Sequence, residues 1–311
     1  MKREIKGRSE SNRVVSIPLM KHLKSELSPH AGQKNNRLEL EVRDLVDRLS
    51  CTKEELESRN YICKRVIEVG DKAGVVIYTM ENLQIGVEPK TIELFCNSVD
   101  KLWQVMEELK KVAEPSTVIQ GSNAIYPFIT FKSPGLVYTV TLYGIDRVEE
   151  GISYIRRLLK EFPVAQQMAL VIGHILKQRK LWNMSGILKE YLLILLIEGF
   201  LRSHPLVQGK SIELNDSLGA LLMDFFQLYG KDMNYMNVSL HPKTGQFSRR
   251  SNKSAAGHIS LIDPLTQEDI GCSYYSFKYV EELFLNLHAG MNVLLHSLST
   301  SRLTDFWVKL S

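Results

Sequence analysis

Residues 38–49, "LELEVRDLVDRL", set Leu38, Val42, Leu45, Val46 and Leu49 at helical spacing, which predicts an amphipathic helix. Thr52 followed by Glu55 has the form of a capping box and opens a second helix that runs to about residue 69. Gly70 and Gly74 then bracket a change of pattern. The stretch "VVIYTMENLQIGVEPKTIELFCNS", residues 75–98, reads as two short apolar strands joined by a loop with Gly86 and Pro89. "SVDKLWQVMEELKKVAE" at 98–114 is again amphipathic, with Ser98 placed to cap it. Next come "STVIQ" and two alternating strands, "AIYPFITF" and "LVYTVTLY", joined by the Pro-Gly turn of "KSPGL". Beyond residue 149 the spacing is helical, near 149–161, 164–180, 187–202, 215–229 and 275–298. Residues 236–273 read as a polar loop between the last two helices.

The expected fold class is α+β, a small mixed α/β unit followed by a helical one, with a cleft between them. The boundaries expected are a basic tail at 1–37, a helix at 38–52 that joins the helical unit, the α/β unit at 53–148, and the helical unit at 149–311. With 311 residues the chain has room for both cores. A net charge of +4 does not by itself indicate a nucleic-acid partner, but residues 1–37 hold nine Lys/Arg against three acids. That tail reads as a solvated terminus, with RNA contact or a nuclear address as the functional alternatives. Cys51, Cys63, Cys96 and Cys272 fit no zinc spacing and read as reduced thiols of an intracellular protein. No secretory signal is read, and "YLLILLIEGFL" at 191–201 is too short to span a bilayer and holds Glu198, so it is expected to be a buried core helix.

Three C-terminal segments are more specific. "LGALLMDFFQLYGKDMNYMNVSL" (218–240), "ISLIDPLTQEDIGCSYYSF" (259–277) and "LKQRKLWN…YLLILLIEGFLRSHP" (176–205) occur in the order and spacing of one family. They resemble the helix-plus-loop, the nucleotide-recognition loop and the pocket-building helix pair of noncanonical poly(A) polymerases of the nuclear RNA-surveillance type. That family lies within the DNA polymerase beta-like nucleotidyltransferases. The similarity extends weakly from about residue 38 to 298. It implies a nucleotidyltransferase domain with a helical, PAP-associated domain, and AMP transfer to RNA 3′ ends through two Mg²⁺ ions held by three carboxylates. It also implies RNA, a zinc-knuckle RNA-binding protein and an RNA helicase as partners, no membrane, and a nuclear location.

The family's catalytic positions are altered here. Its Gly-Ser falls on Ile77 and Tyr78, and its Asp-x-Asp on Thr91, Ile92 and Glu93. The third Asp falls on Thr139, and a triphosphate-binding lysine on Gly173. Of a glycine-rich turn only Gly186 is kept, and an expected arginine is Cys272. Asp263 and Tyr274 occupy nucleotide-recognition positions, and Tyr274 or Tyr275 could stack a base or pack the final helix. Threonine cannot replace an ionised carboxylate on Mg²⁺. Glu93 is read as a leftover acid at a strand end, with a single-metal ligand as the alternative, "QGSNA" (120–124) as a turn, and His174 as a core residue. The basic cluster "FSRRSNK" offers Arg249, Arg250 and Lys253 to RNA, against the plainer reading of a solvated loop. Two classes stay open: a pseudoenzyme scaffold or RNA-binding subunit that needs no cofactor, and an active, Mg-dependent template-independent poly(A) polymerase.

Overall fold

The computed structural model describes residues 31–79, 91–111, 119–121, 127–132, 138–144, 148–182, 189–250, 259–271, 277–296 and 302–309. The first helix, α1, is Ala31–Leu49, and α2 is Lys53–Lys72. The Thr52 hydroxyl accepts the Glu55 N–H while the Glu55 carboxylate accepts the Thr52 N–H, so the capping box is formed. Gly74 turns the chain at φ +65°, where a Cβ would strain. Strands β1 (Ile77–Thr79) and β2 (Thr91–Cys96) follow, then α3 (Val99–Lys110), capped by the Ser98 side chain. Strands β3 (Ile119–Gly121), β4 (Phe128–Lys132) and β5 (Thr139–Gly144) complete a five-stranded sheet of order β1-β2-β5-β4-β3. Only the central pair β2–β5 is parallel.

Side chains alternate across the strands, and the alternation sorts this sheet into two chemically different faces. Ile77, Ile92, Leu94, Cys96, Ile129, Phe131, Val140 and Leu142 share one core with Ile62 and Val66 of α2 and Leu102 and Val105 of α3. The interleaved residues form the other face. There Phe95 packs with Val148 and Ile152 at the start of α4 (Val148–Glu161), flanked by Tyr78 and Tyr143.

The larger core is helical. It gathers α5 (Val164–Gln178), α6 (Lys189–Ser203), the short α7 (Pro205–Gln208), α8 (Leu218–Gln227), α9 (Phe277–His296) and α10 (Thr304–Lys309). Leu38, Val42, Leu45 and Val46 of α1 belong to that core, not to the core beneath the sheet. Carboxylates hold α1 there. Glu39 accepts the Gly219 N–H at 2.7 Å at the start of α8, and Glu41 accepts the Thr304 N–H at 3.2 Å at the start of α10. Negative charge at a helix N-terminus is favourable.

The acid inside the apolar run of α6 has a place. Glu198 is buried at 1 % exposure and accepts from the Tyr154 hydroxyl at 2.8 Å and from Arg202 Nε at 2.9 Å. Arg202 also donates twice to Glu161, at 2.8 and 2.7 Å, so α4 and α6 are joined through a paired charge. No helix among the described residues is long and apolar enough to cross a membrane.

Two expectations are corrected. The segment 236–273 is not simply a loop: β6 (Val238–His241) and β7 (Gln246–Arg249) pair antiparallel, and Leu240 bridges to Leu261. Val238, Leu240, Phe247 and Leu261 drive this by burying one face of the ribbon in the helical core. The helix expected through residue 229 leaves α geometry after Gln227 and makes a π turn over Leu228–Asp232. The turn brings Gly230 so close to α9 that a Cβ there would lie 2.3 Å from the Leu285 nitrogen.

Candidate functional site

The sheet face away from the α2–α3 core collects four sequence-predicted positions. In the parallel register Thr91 lies opposite Thr139 and Glu93 opposite Thr141. Thr91, Glu93, Thr139 and Thr141 therefore stand side by side on neighbouring strands. Thr130 of β4 extends the row, its hydroxyl 3.1 Å from that of Thr141. Tyr78 lies opposite Phe95 and so shares this face, whereas Ile77 turns into the core below. One carboxylate thus sits among hydroxyls and aromatic rings.

The aromatic end of the face is closed off. Phe95 and Tyr143 stack with centroids 5.8 Å apart, and Tyr143 meets Phe128 at 6.0 Å. The Tyr78 hydroxyl donates to Glu149 of α4 at 3.0 Å. Partial burial and the neighbouring carboxylate raise the Tyr78 phenol above its ordinary pKa, keeping it a donor. The Tyr143 hydroxyl makes a long 3.5 Å contact with Glu93.

Arg59 escaped the sequence reading. It is buried at 2 % exposure, donates to the Thr91 carbonyl at 2.6 Å, and lies over the Tyr138 ring at 5.6 Å. Its signal was available, since Arg59 continues the i, i+3, i+4, i+7 stripe of Ile62, Cys63 and Val66 on α2. A cation on such a stripe must find a partner beneath the sheet.

The two-magnesium chemistry that the resemblance implies makes a definite demand on this face. Mg²⁺ requires oxygen ligands in near-octahedral array, and a two-ion site rests on several carboxylates. Glu93 with Thr91, Thr139 and Thr141 does not supply that set. Among the described residues no group of three or more His, Cys, Asp or Glu could hold a metal ion. The donor set does not fit the ions.

The remaining predicted positions lie elsewhere. Gly173 is buried within α5, with Lys177 one turn on and its ammonium 5.0 Å over the Trp182 ring. His174 is half-buried, and burial, with Lys177 beside it, lowers its pKa, which leaves the ring neutral at pH 7. Asp263 is buried; it accepts the Tyr191 hydroxyl at 2.8 Å and the Leu265 N–H at 2.9 Å, so it organises its own loop. Arg249 is exposed on β7. Arg250 is corrected: it is 3 % exposed and donates to the Tyr235 carbonyl at 2.7 Å, so its guanidinium is not offered to a phosphate. Gly186, Lys253, Cys272, Tyr274 and Tyr275 lie outside the described residues.

Comparison with known proteins places this geometry. Residues 217–268 match the family model of the Cid1 family poly A polymerase. Poly(A) RNA polymerase protein 2 of Saccharomyces cerevisiae is 28 % identical over 232 residues, covering 70 % of this chain and 40 % of that protein. Poly(A) RNA polymerase gld-4 of Caenorhabditis elegans is 31 % identical over 189 residues, covering 57 % of this chain and 22 % of that protein. The chain therefore spans well under half the length of these curated relatives. Among solved structures, the polymerase core of TRAMP, an RNA surveillance complex, superposes with a TM-score of 0.73 at 24 % identity, over 89 % of this chain and 96 % of that one. Cid1 in complex with its short product ApU superposes with a TM-score of 0.68 at 13 % identity, over 88 % of this chain and 98 % of that one. The matched segment, the relatives and the shared α/β-plus-helical fold agree: this chain is similar to the Cid1 family of poly(A) polymerases over residues 217–268 and shares their fold over most of its length.

Proposed function

We propose that this homologue does not catalyse nucleotide transfer and serves as a scaffold or RNA-binding subunit in nuclear RNA processing. The observation that supports the proposal is the sheet face just described: Thr91, Glu93 and Thr139, to which the resemblance assigns the carboxylate positions, stand on neighbouring strands with one acid among them. Phosphoryl-transfer catalysis is mostly positioning and charge stabilisation by metal-held oxygens, so losing two of three carboxylates should abolish it. Nucleotide affinity should be poor for a related reason. A triphosphate needs cations and backbone N–H donors, and Ile77, Tyr78 and Gly173 provide no cation.

The helical core is retained, and with it the means to present a surface. The domain scheme follows: residues 53–148 as a nucleotidyltransferase-like unit, and 38–52 with 149–311 as the helical unit. RNA contact would come from the nine Lys/Arg of residues 1–37 and from Arg249, and such contact weakens steeply with salt. One neighbour by fold is the polymerase core of an RNA surveillance complex, which supports a place in such an assembly, and the resemblance implies an RNA helicase and a zinc-knuckle RNA-binding protein as the partners there.

The test is incorporation of AMP or UMP into oligo(A), with Mg²⁺ or Mn²⁺, by purified protein alone and with such a partner. No extension is expected. Extension that Glu93→Gln abolishes would overturn the proposal and make Glu93 a metal ligand in an active polymerase.

A further inference from the structure

The outward face of the β6–β7 ribbon carries a cavity of about 350 Å³, within the size range of ligand sites. Its construction follows from the register. Val238, Leu240 and Phe247 point into the helical core, so His241, Gln246 and Ser248 point out. Ile262 and Pro264 close the side opposite β7, and the turn carrying Lys243 closes one end. His241 Nε2 lies 2.8 Å from the Ser248 hydroxyl, fixing the floor. No carboxylate is among the lining residues. Among the described residues Lys243, exposed at the rim, makes no ion pair.

The same ribbon has an open edge. Leu240 accepts from Ile262 and donates to Ser260, both on the side away from β7. In an antiparallel pair that makes Leu240–Phe247 the wide pair, so Phe247 turns its own N–H and C=O to the outer edge. Arg249, two residues on, does the same, and among the described residues neither edge pair is taken up by another strand. An extended chain laid along β7 would gain these backbone hydrogen bonds and direct alternate side chains toward the cavity.

The geometry points to this face as a docking site for an extended acidic segment of a partner protein, with its backbone paired to β7 and a carboxylate beside Lys243. RNA suits the site less well: Ile262, Pro242 and Pro264 give it apolar walls, and Lys243 is a single cation among the lining residues where a phosphate backbone requires several. The site is separate from the sheet face, so this proposal stands or falls independently of whether the chain catalyses.

The experiment is fluorescence anisotropy with the full chain and three labelled probes. They are a ten-residue peptide alternating aliphatic and acidic residues, its counterpart with lysine for each acid, and oligo(A). The acidic peptide is expected to bind with a Kd on the order of 10–100 μM, and the lysine peptide not to bind. Lys243→Glu should weaken binding at least about tenfold, whereas Lys53→Glu on distant α2 should leave it unchanged. Arg249→Pro removes one outward N–H without touching the ladder inside the ribbon, and should also weaken binding. Should that variant unfold, amide shifts of Phe247 and Arg249 in the wild type on adding the acidic peptide are the substitute measurement. Absence of acidic-peptide binding, equal binding of the lysine peptide, displacement by oligo(A), or indifference to Lys243→Glu each overturns the proposal.

Discussion

The two faces of the five-stranded sheet are built from the same strands, one residue out of step, and they carry different constraints. Beneath the sheet Ile92, Leu94, Val140, Leu142 and Ile129 are all at 0 % exposure, packed on α2 and α3. On the other face Thr91, Glu93 and Thr139 are only half-buried. One face decides whether the chain folds, and the other decides what it can do. On the proposed reading a fold of this kind outlives its chemistry, because a substitution on the half-buried face leaves the core beneath untouched.

The sharpest way to break that comparison is to put the same charge on either face. Ile92→Asp or Val140→Asp buries an unpaired carboxylate in an apolar core, at a cost of several kcal/mol, and should leave the α/β unit unfolded by circular dichroism. Retention of cooperative unfolding near the wild-type midpoint would mean that the strand register is wrong.

A second test moves to the helical core. Glu198→Ala strips a buried carboxylate from Tyr154 and Arg202, and should cost about 3–5 kcal/mol in denaturant unfolding. Glu161→Ala, which leaves Arg202 paired with Glu198, should cost about 1 kcal/mol or less, since Glu161 is half-exposed. Equal losses from the two would show that Arg202, not the buried acid, governs the joint between α4 and α6.

The third test is pH. Burial lowers the pKa of His174, His241 and His288 below the usual 6.5. Above 6.5 each is neutral whether folded or not and contributes nothing to the pH dependence. As pH falls below 6.5 the unfolded chain takes up protons first, so stability declines until the folded-state values are passed. Replacing all three by Gln should flatten the urea midpoint between pH 7 and pH 5. An unchanged slope would assign the acid sensitivity to carboxylates.

How much of this was legible follows from where the information lies. The capping box at Thr52, the Ser98 cap and the alternating hairpin strands β4 and β5 are local patterns that read directly into structure. The assignment of Thr91, Glu93 and Thr139 to catalytic positions comes only through resemblance, since composition says nothing about which threonine would stand for an acid, and it remains a proposal. The β6–β7 ribbon was missed because each strand has four residues and Pro242 and Gly245 punctuate them, so no period can establish itself. Arg250 was misread because a basic cluster looks solvated, and only the long-range approach of the Tyr235 carbonyl shows otherwise. Likewise the close approach of Gly230 to α9 is a tertiary fact with no local mark.

A modest expected effect is the most discriminating. Thr91→Asp with Thr139→Asp sets three carboxylates together with Glu93 on neighbouring strands, where like charges on paired positions repel. Because the face is half-open, the penalty should be only about 1–2 kcal/mol without metal, against unfolding for the same residue one position over. Mg²⁺ relieves the repulsion, so millimolar Mg²⁺ should raise the midpoint of the double variant and leave the wild type unmoved. AMP transfer should still not appear, since Ile77, Tyr78 and Gly173 remain at the positions to which the resemblance assigns triphosphate binding. Recovery of transfer by the double variant would mean that the two acids were the whole deficit and that the nucleotide site had survived their loss. Metal binding without transfer would separate the two losses and place the second in the cradle for the triphosphate.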